Sequence, residues 1–474
     1  MKGIAQNETK WYQVKDFFPN ISILIIILTV SIYSNDIGYW KKPNRIIYDD
    51  ILHYYAYLPA VFIYNDIELK FVSKKPSDYL EKFWPFRSPL GKNTIMTTMG
   101  MSILYAPAFL TTKAIMWIIG DESDGFSPPY RLGLVIGSII YLFISLLFLK
   151  KVLLKYFSPA ATAVSLIMVA LGTNLGHYST HEPTMSHLYG FFLFSVFLYL
   201  LVKWHEKPVL KYSVLLGLVS GLIVLVRPSN ILIGLIFIFW NISGIESLKQ
   251  KMKFFLKNYL QLIMIVLFAI IIWVPQMLYW KQLTGSFLFY SYGEESKFFF
   301  NNPQIFNNLF SYRKGWLVYT PIMITAFIGM IMLWKKKPEL VVPLAIFSVV
   351  NIYVISSWWS WWYGGGFGLR AYVESYAIYS IGFAAFVQWI IGLRYSLLKI
   401  PLFIIIALFI ALNLFQTRQY YFGSIHYVGM TKKAYWHQFL VLKPYGEYYY
   451  LLTIPDMQKA RQGIYEFTPT KKND

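Results

Sequence analysis

The sequence contains no cysteine, which removes disulfides, thiol nucleophiles, cysteine-based zinc sites and a lipid-modified cysteine anchor together. Charge is scarce as well: 14% of the 474 residues are charged and 57% are hydrophobic, against roughly 25% charged in an average soluble domain. So few charges cannot cover the surface of a soluble protein of this size. A soluble chain of this length would divide into about three domains, yet no Pro/Gly/Ser-rich or charged linker interrupts this one. Internal repeats, low-complexity runs and the inverted repeats of many transporters are missing too. These absences point to an all-α polytopic membrane protein with polar loops.

The scarcest charge is negative, with 23 Asp+Glu against 43 Lys+Arg and a formal net charge of +20. In a soluble protein that excess would raise nucleic-acid binding; in a membrane protein it reports orientation, and no nucleic-acid partner is expected. A spanning helix needs about 20 mostly apolar residues. The first runs from Phe17 to about Ser34 after Lys2, Lys10 and Lys15, and with no small-residue cleavage pattern it reads as an anchor with a cytoplasmic N-terminus. The run at 94–119 contains Pro107, Thr94, Thr97, Thr98, Thr111, Thr112 and Lys113, and is expected to lie along the interface. The helix at 131–149 then crosses inward and places Lys150, Lys151 and Lys155 in the cytoplasm. Further spans are expected at 160–176, 186–202, 213–226, 229–243, 259–279, 317–334, 339–356, 371–389 and 400–415, about 11 in all. On this threading the short inner segments collect lysines (Lys203, Lys207, Lys211; Lys249, Lys251, Lys253, Lys257; Lys335, Lys336, Lys337), while the short outer turns hold only Arg227 and Arg370. All acids except Glu8, Asp16, Glu206, Glu246 and Glu339 fall outside. The domain is 1–415, with long outer segments at 35–130 (a first loop carrying juxtamembrane helices) and 280–316, followed by a short outer tail, 416–474.

The outer side holds the unusual residues. YDDILHYYAYLPAVFIYND (48–66) puts Asp49 and Asp50 just after a span. The i, i+4 spacing places Asp50 and Tyr54 on one face of a following amphipathic helix. A carboxylate there can serve as a general base; the alternative is that Asp50 is a helix N-cap. HYSTHEPTMSH (177–187) gathers His177, His181, Glu182 and His187. Without HExxH or cysteine no metal site is expected, and Glu182 reads as a second acid or a structural salt-bridge partner. Arg227, before Pro228, faces a polar cavity or snorkels. LFSYRKGWLVYTP (309–321) supplies Arg313 and Lys314. In SSWWSWWYGGGFGLRAYVES (356–375), an aromatic belt explains the tryptophans, and the glycines suggest a tight turn presenting Arg370 to a ligand. No Walker or dinucleotide pattern is present.

In order, the acidic pair with YYAYLPAVFIYND, LYAPAFL, FSPPYRLG, HEPTMSH, GLVSGLIVLVRPSN, YRKGWLVYTP and WWYGGGFGLR resemble the GT-C superfamily of polyprenyl-phosphate-sugar-dependent glycosyltransferases. The resemblance is to the protein O-mannosyltransferase and aminoarabinose-transferase branch, in the form of Bacteroidetes-type bacterial sequences, and it covers most of the chain. It implies a GT-C-like fold in the bacterial cytoplasmic (inner) membrane and inverting transfer of a sugar from a lipid-phosphate carrier to a glycan, lipid or protein acceptor on the outer face. It further implies Asp50 as catalytic base with Asp49 as fallback, and Glu182 where relatives carry a second acid. Arg227, Arg313 and Arg370 are candidates for the lipid phosphate, with Tyr54, His181 and Lys314 beside the substrate. No cofactor is expected; the partners are the lipid-linked donor, the acceptor and membrane lipids. Two other functions share parts of this pattern. An outer-face polysaccharide polymerase or ligase needs no acidic pair after its first helix, and a transporter or flippase would carry its charges at mid-membrane.

Overall fold

Long apolar runs have no water to satisfy their backbone groups within a bilayer, so they close their hydrogen bonds internally as helices. The computed structural model describes residues 11–74, 85–121, 124–291 and 296–470. Lys2, Glu8 and Lys10, which bear on the threading, lie outside the described residues. Among the described residues six helices are long and apolar enough to cross a membrane: Asp16–Lys41, Gly100–Ile118, Pro128–Tyr156, Ser186–Glu206, Pro338–Ser356 and Ser396–Phe422. The pair Ile245–Lys257 and Tyr259–Ile271, bent by 75°, makes a seventh if counted as one span. Shorter apolar helices, Pro159–Leu171, Leu210–Val226, Pro228–Phe239, Met323–Trp334 and Tyr376–Ile391, stand at the other positions expected to span. The chain is thus a predominantly helical, polytopic integral membrane protein.

The short helices position the site. Thirteen residues rise about 20 Å, less than the ~30 Å hydrocarbon core, so such a helix is too short to span it alone. Pro159–Leu171, Leu210–Val226, Met323–Trp334 and Tyr376–Ile391 each adjoin one of the charged turns named above. Close packing holds them together. A Cβ added at Gly329 would stand 2.0 Å from the Gly382 carbonyl, and one at Gly217 would stand 2.5 Å from that of Ile265. The helices Met323–Trp334 and Tyr376–Ile391 therefore meet backbone to backbone through small residues, as do Leu210–Val226 and Tyr259–Ile271.

Several boundaries differ from expectation. The run at 259–279 is broken: Tyr259–Ile271 stops, and Val274–Thr284 restarts with Pro275 in its first turn, because proline lacks the N–H to continue a helix. The segment at 229–243 opens as the 3-10 turn Pro228–Ile233 and ends with Gly234–Phe239, again after a proline. The last span does not stop at 415; it continues to Phe422, where Gly423 at φ 86 ends it, so the tail begins seven residues later than its expected boundary. Gly100–Ile118 has the length and hydropathy of a span although expected to lie along the surface. It runs antiparallel to the first half of Pro128–Tyr156, with Ala108 against Gly137 and the Tyr141 hydroxyl donating to the Leu104 carbonyl at 2.8 Å. The helical architecture also carries two small antiparallel ribbons, Phe86–Arg87 with Asn93–Thr94 and Thr453–Pro455 with Phe467–Pro469.

Candidate active site

The acidic pair opens the helix Asp49–Tyr55, with both carboxylates in its first turn and Tyr48 at the N-cap. Asp50 is therefore not the cap, and the capping alternative does not hold. Buried Ile51, Leu52 and Tyr55 seat this short helix on the core and leave Asp50 half-exposed on the opposite face. Asp49 adopts φ 43, a left-handed conformation that non-glycine residues avoid.

Opposite Asp50 stands Arg370, its Nη2 3.5 Å from Oδ2. The glycine-rich turn delivers it as expected: Gly364, Gly366 and Gly368 take φ of 65, 134 and 61, open to glycine at little cost. A Cβ at Gly366 would stand 2.7 Å from the Tyr178 hydroxyl. The turn is anchored from two sides. The Lys314 ammonium donates to the Gly366 carbonyl, and Asn174 Nδ2 donates to the Phe367 carbonyl at 3.1 Å. Burial pushes the Lys314 ammonium down to about 7, against the opposing pull of Glu182. Burial also works against the Arg370 charge, but Asp50, Tyr178 and Glu182 outweigh it and raise its hold on the proton.

Glu182 comes from the turn before Ser186–Glu206, with His177 Nε2 3.4 Å from its Oε1. Burial alone would raise the carboxyl, yet His177 and Arg370 hold it below the usual carboxylate range. His181 stacks on His177 with ring centroids 4.9 Å apart. Among the described residues no three His, Asp or Glu side chains form a group able to hold a metal ion.

Two cavities meet at this cluster. The larger, about 990 Å³, is lined by Asp49, Asp50, His181, Glu182 and Arg370. The smaller, about 250 Å³, is lined by Asp50, Tyr54, Arg227 and Arg370 together with Phe298 and Trp358. Asp50 and Arg370 belong to both and stand where the two adjoin. Arg227 is held from behind: its Nη1 lies 3.0 Å from Glu374 Oε1, and His187 Nδ1 lies 3.1 Å from the same oxygen. A side chain at Gly190 would strike Glu374 at 2.3 Å, so glycine there makes room for the acid. Sequence reasoning did not place Glu374 in the site; its only signal is an acid in an otherwise apolar turn four residues after Arg370.

Two candidate residues lie apart from both cavities. Arg313 donates to the carbonyls of Val428 at 2.5 Å and Thr453 at 3.0 Å and to Thr453 Oγ1 at 2.6 Å, so it fastens the C-terminal segment. Lys314 acts on the glycine turn from beneath. The tail forms part of the wall of the larger cavity through His426, Tyr427 and Tyr449, next to Tyr420 and Tyr421 at the end of the preceding helix. The tryptophans do not form a belt. Trp361 and Trp362 are buried in a cluster with Val428 and Ala460 of the tail, which covers the surface an aromatic belt would need.

No protein-family model matches the sequence, and no curated protein does. Among solved structures, the chain is similar to the crystal structure of the Archaeoglobus fulgidus oligosaccharyltransferase in the apo form, with a TM-score of 0.48 and 14% sequence identity over 94% of this chain. The chain spans 61% of the length of that protein.

Proposed function

We propose that the protein is a membrane glycosyltransferase that moves a sugar from a polyprenyl-phosphate-type donor to an acceptor hydroxyl at the outer face, with inversion at the anomeric carbon and Asp50 as general base. The observation that carries this reading is the position of Asp50 and Arg370 in the lining of both cavities: a base and a cation stand where two substrates would meet. The smaller cavity, with Arg227, Arg370 and aromatic walls, suits the phosphate and first isoprenoid carbons of the donor. The larger one takes the acceptor.

In the transfer, Asp50 accepts the proton of the acceptor O–H as that oxygen attacks the anomeric carbon. The bond from that carbon to the phosphate oxygen breaks, and its electron pair leaves on the phosphate, where Arg227 and Arg370 stabilise the gathering charge. Before the donor arrives, Arg370 is paired with Asp50. A bound phosphate competes for the guanidinium and frees the base, so the donor primes the acceptor step. Glu182 adds negative charge near Arg370 from the side of the larger cavity.

The test is turnover of a panel of polyprenyl-phosphate sugars by the purified protein, read as release of polyprenyl phosphate. Asp50→Asn is expected to lower it by about 10²- to 10⁴-fold with an unchanged size-exclusion profile, and Asp49→Asn to retain most of it. Full turnover in Asp50→Asn overturns the mechanism.

A further inference from the structure

The tail contributes a hydrogen-bond donor that the transfer chemistry does not use. His426 lines the larger cavity, and its Nδ1 accepts the backbone N–H groups of Gly429 at 2.8 Å and Val428 at 3.3 Å. A ring nitrogen that accepts cannot also carry the proton, so the neutral imidazole has its hydrogen on Nε2. Burial, with the nearby cations Lys314 and Arg313, pushes the ring down to about 4, which keeps it neutral at physiological pH. Among the described residues no protein acceptor meets Nε2–H. The loop that carries it is stiff: Arg313 grips the Val428 carbonyl, and a Cβ at Gly429 would stand 2.9 Å from the imidazole. The donor is therefore preorganised, and its natural partner is an oxygen in the cavity.

The surroundings of His426 distinguish two kinds of acceptor. Tyr39, Tyr421, Tyr427 and Tyr449 bring aromatic rings to the same cavity, and Asp49 and Lys42 bring polar groups that reach hydroxyls. Rings with a polar tip suit a ligand that alternates C–H faces with hydroxyls. One mode of extended-peptide recognition pairs the peptide with an open strand edge, and none of the residues lining this cavity lies in a strand. At about 990 Å³ the cavity stands at the upper end of the ~300–1,000 Å³ of sites for drug-sized ligands, room for more than one sugar ring.

We propose that the larger cavity binds the acceptor as a carbohydrate chain, with His426 Nε2–H donating to one of its oxygens; this rests on that cavity being the acceptor side of the transferase. His426 is then a specificity-determining residue supplied by the tail.

The experiment uses the full chain in lipid nanodiscs on a printed array carrying oligosaccharides and Ser/Thr-containing peptides, which needs no turnover and so separates this proposal from the transfer mechanism. Wild type is expected to be retained by glycans and not by peptides. His426→Asn keeps an oxygen where Nδ1 accepts the two N–H groups but has no atom in the place of Nε2; glycan retention should fall about tenfold, the loss of one hydrogen bond. His426→Gln places an amide nitrogen near Nε2 and should recover part of that loss, while thermal unfolding of both variants shows that the loop still folds. Equal glycan retention by wild type and His426→Asn overturns the proposal, as does retention by peptides alone or no retention by glycans. If His426→Asn loses glycan binding while Asp50→Asn retains full turnover, the base assignment fails and the glycan site stands.

Discussion

On the lysine-rich side of the molecule Glu206 is shared between Lys155 and Lys203, all three side chains more than a third exposed. Glu246 meets Lys249 at 3.6 Å, one helical turn away, and both are open to solvent. On the side of Asp50 the pairs are built otherwise. Glu374, 1% exposed, is reached by Arg227 and His187 from positions 147 and 187 residues away in sequence, and Arg370 crosses from the glycine turn to Asp50. Exposed pairs are worth about 0–1 kcal/mol. Buried pairs must offset desolvation of both charges, and charges kept at that cost inside a membrane protein are kept for a task. The contrast separates exposed pairs from buried charge that is held by partners far away in the chain.

Removing one acid from each side tests the contrast most strongly. Glu374→Gln leaves Arg227 without its anion and should cost about 3–5 kcal/mol, read as the thermal unfolding midpoint in detergent; a cost below 1 kcal/mol would make the two sides alike. Arg370→Ala should lower transfer at subsaturating donor by about 10²-fold, and Arg370→Lys should recover only part because the planar fork is lost. An unchanged donor dependence in Arg370→Ala returns that residue to a structural role. Lys314 gives a smaller, pH-dependent effect. Its folded pKa of about 7 lies below the usual 10.5, so between those values the unfolded chain holds a proton that the folded chain has released. Stability from this group is lowest below pH 7 and rises with pH through that window. Relative to Lys314→Met, wild type should gain on the order of 3 kcal/mol from pH 6 to 10, and parallel pH curves would show that the ammonium is not buried as described. The smallest effect belongs to Glu206→Gln, expected to cost less than about 1 kcal/mol and to leave transfer unchanged.

Much of this was legible along the chain. Apolar runs located the helices because hydropathy and length are local properties, and Pro275 and Pro228 explain why two of them are broken where the runs are continuous. Asp50, Glu182, Arg227 and Arg370 stood out as charges beside apolar helices, and Gly364, Gly366 and Gly368 announced a turn of positive φ. Arg313 looked equivalent to Arg227 and Arg370, since nothing in YRKGW says that its guanidinium is taken by carbonyls more than a hundred residues later. Glu374 and His426 were hidden for the same reason. Each is an ordinary polar residue until its partners are known, and those partners lie on other elements.

The sequence by itself determined that this is a polytopic helical membrane protein and where most of its apolar helices lie. Those features follow from burial of apolar side chains and from the bilayer's need for internal backbone hydrogen bonding, both read over a window of about twenty residues. Tertiary structure alone decided which charges share a site. It brought Asp50 to Arg370, put Glu374 behind Arg227, tied the glycine turn to Lys314 and folded the tail into the wall of a cavity. These arrangements join residues far apart in the chain, and their energies depend on distance and burial, quantities that exist only once the helices have packed.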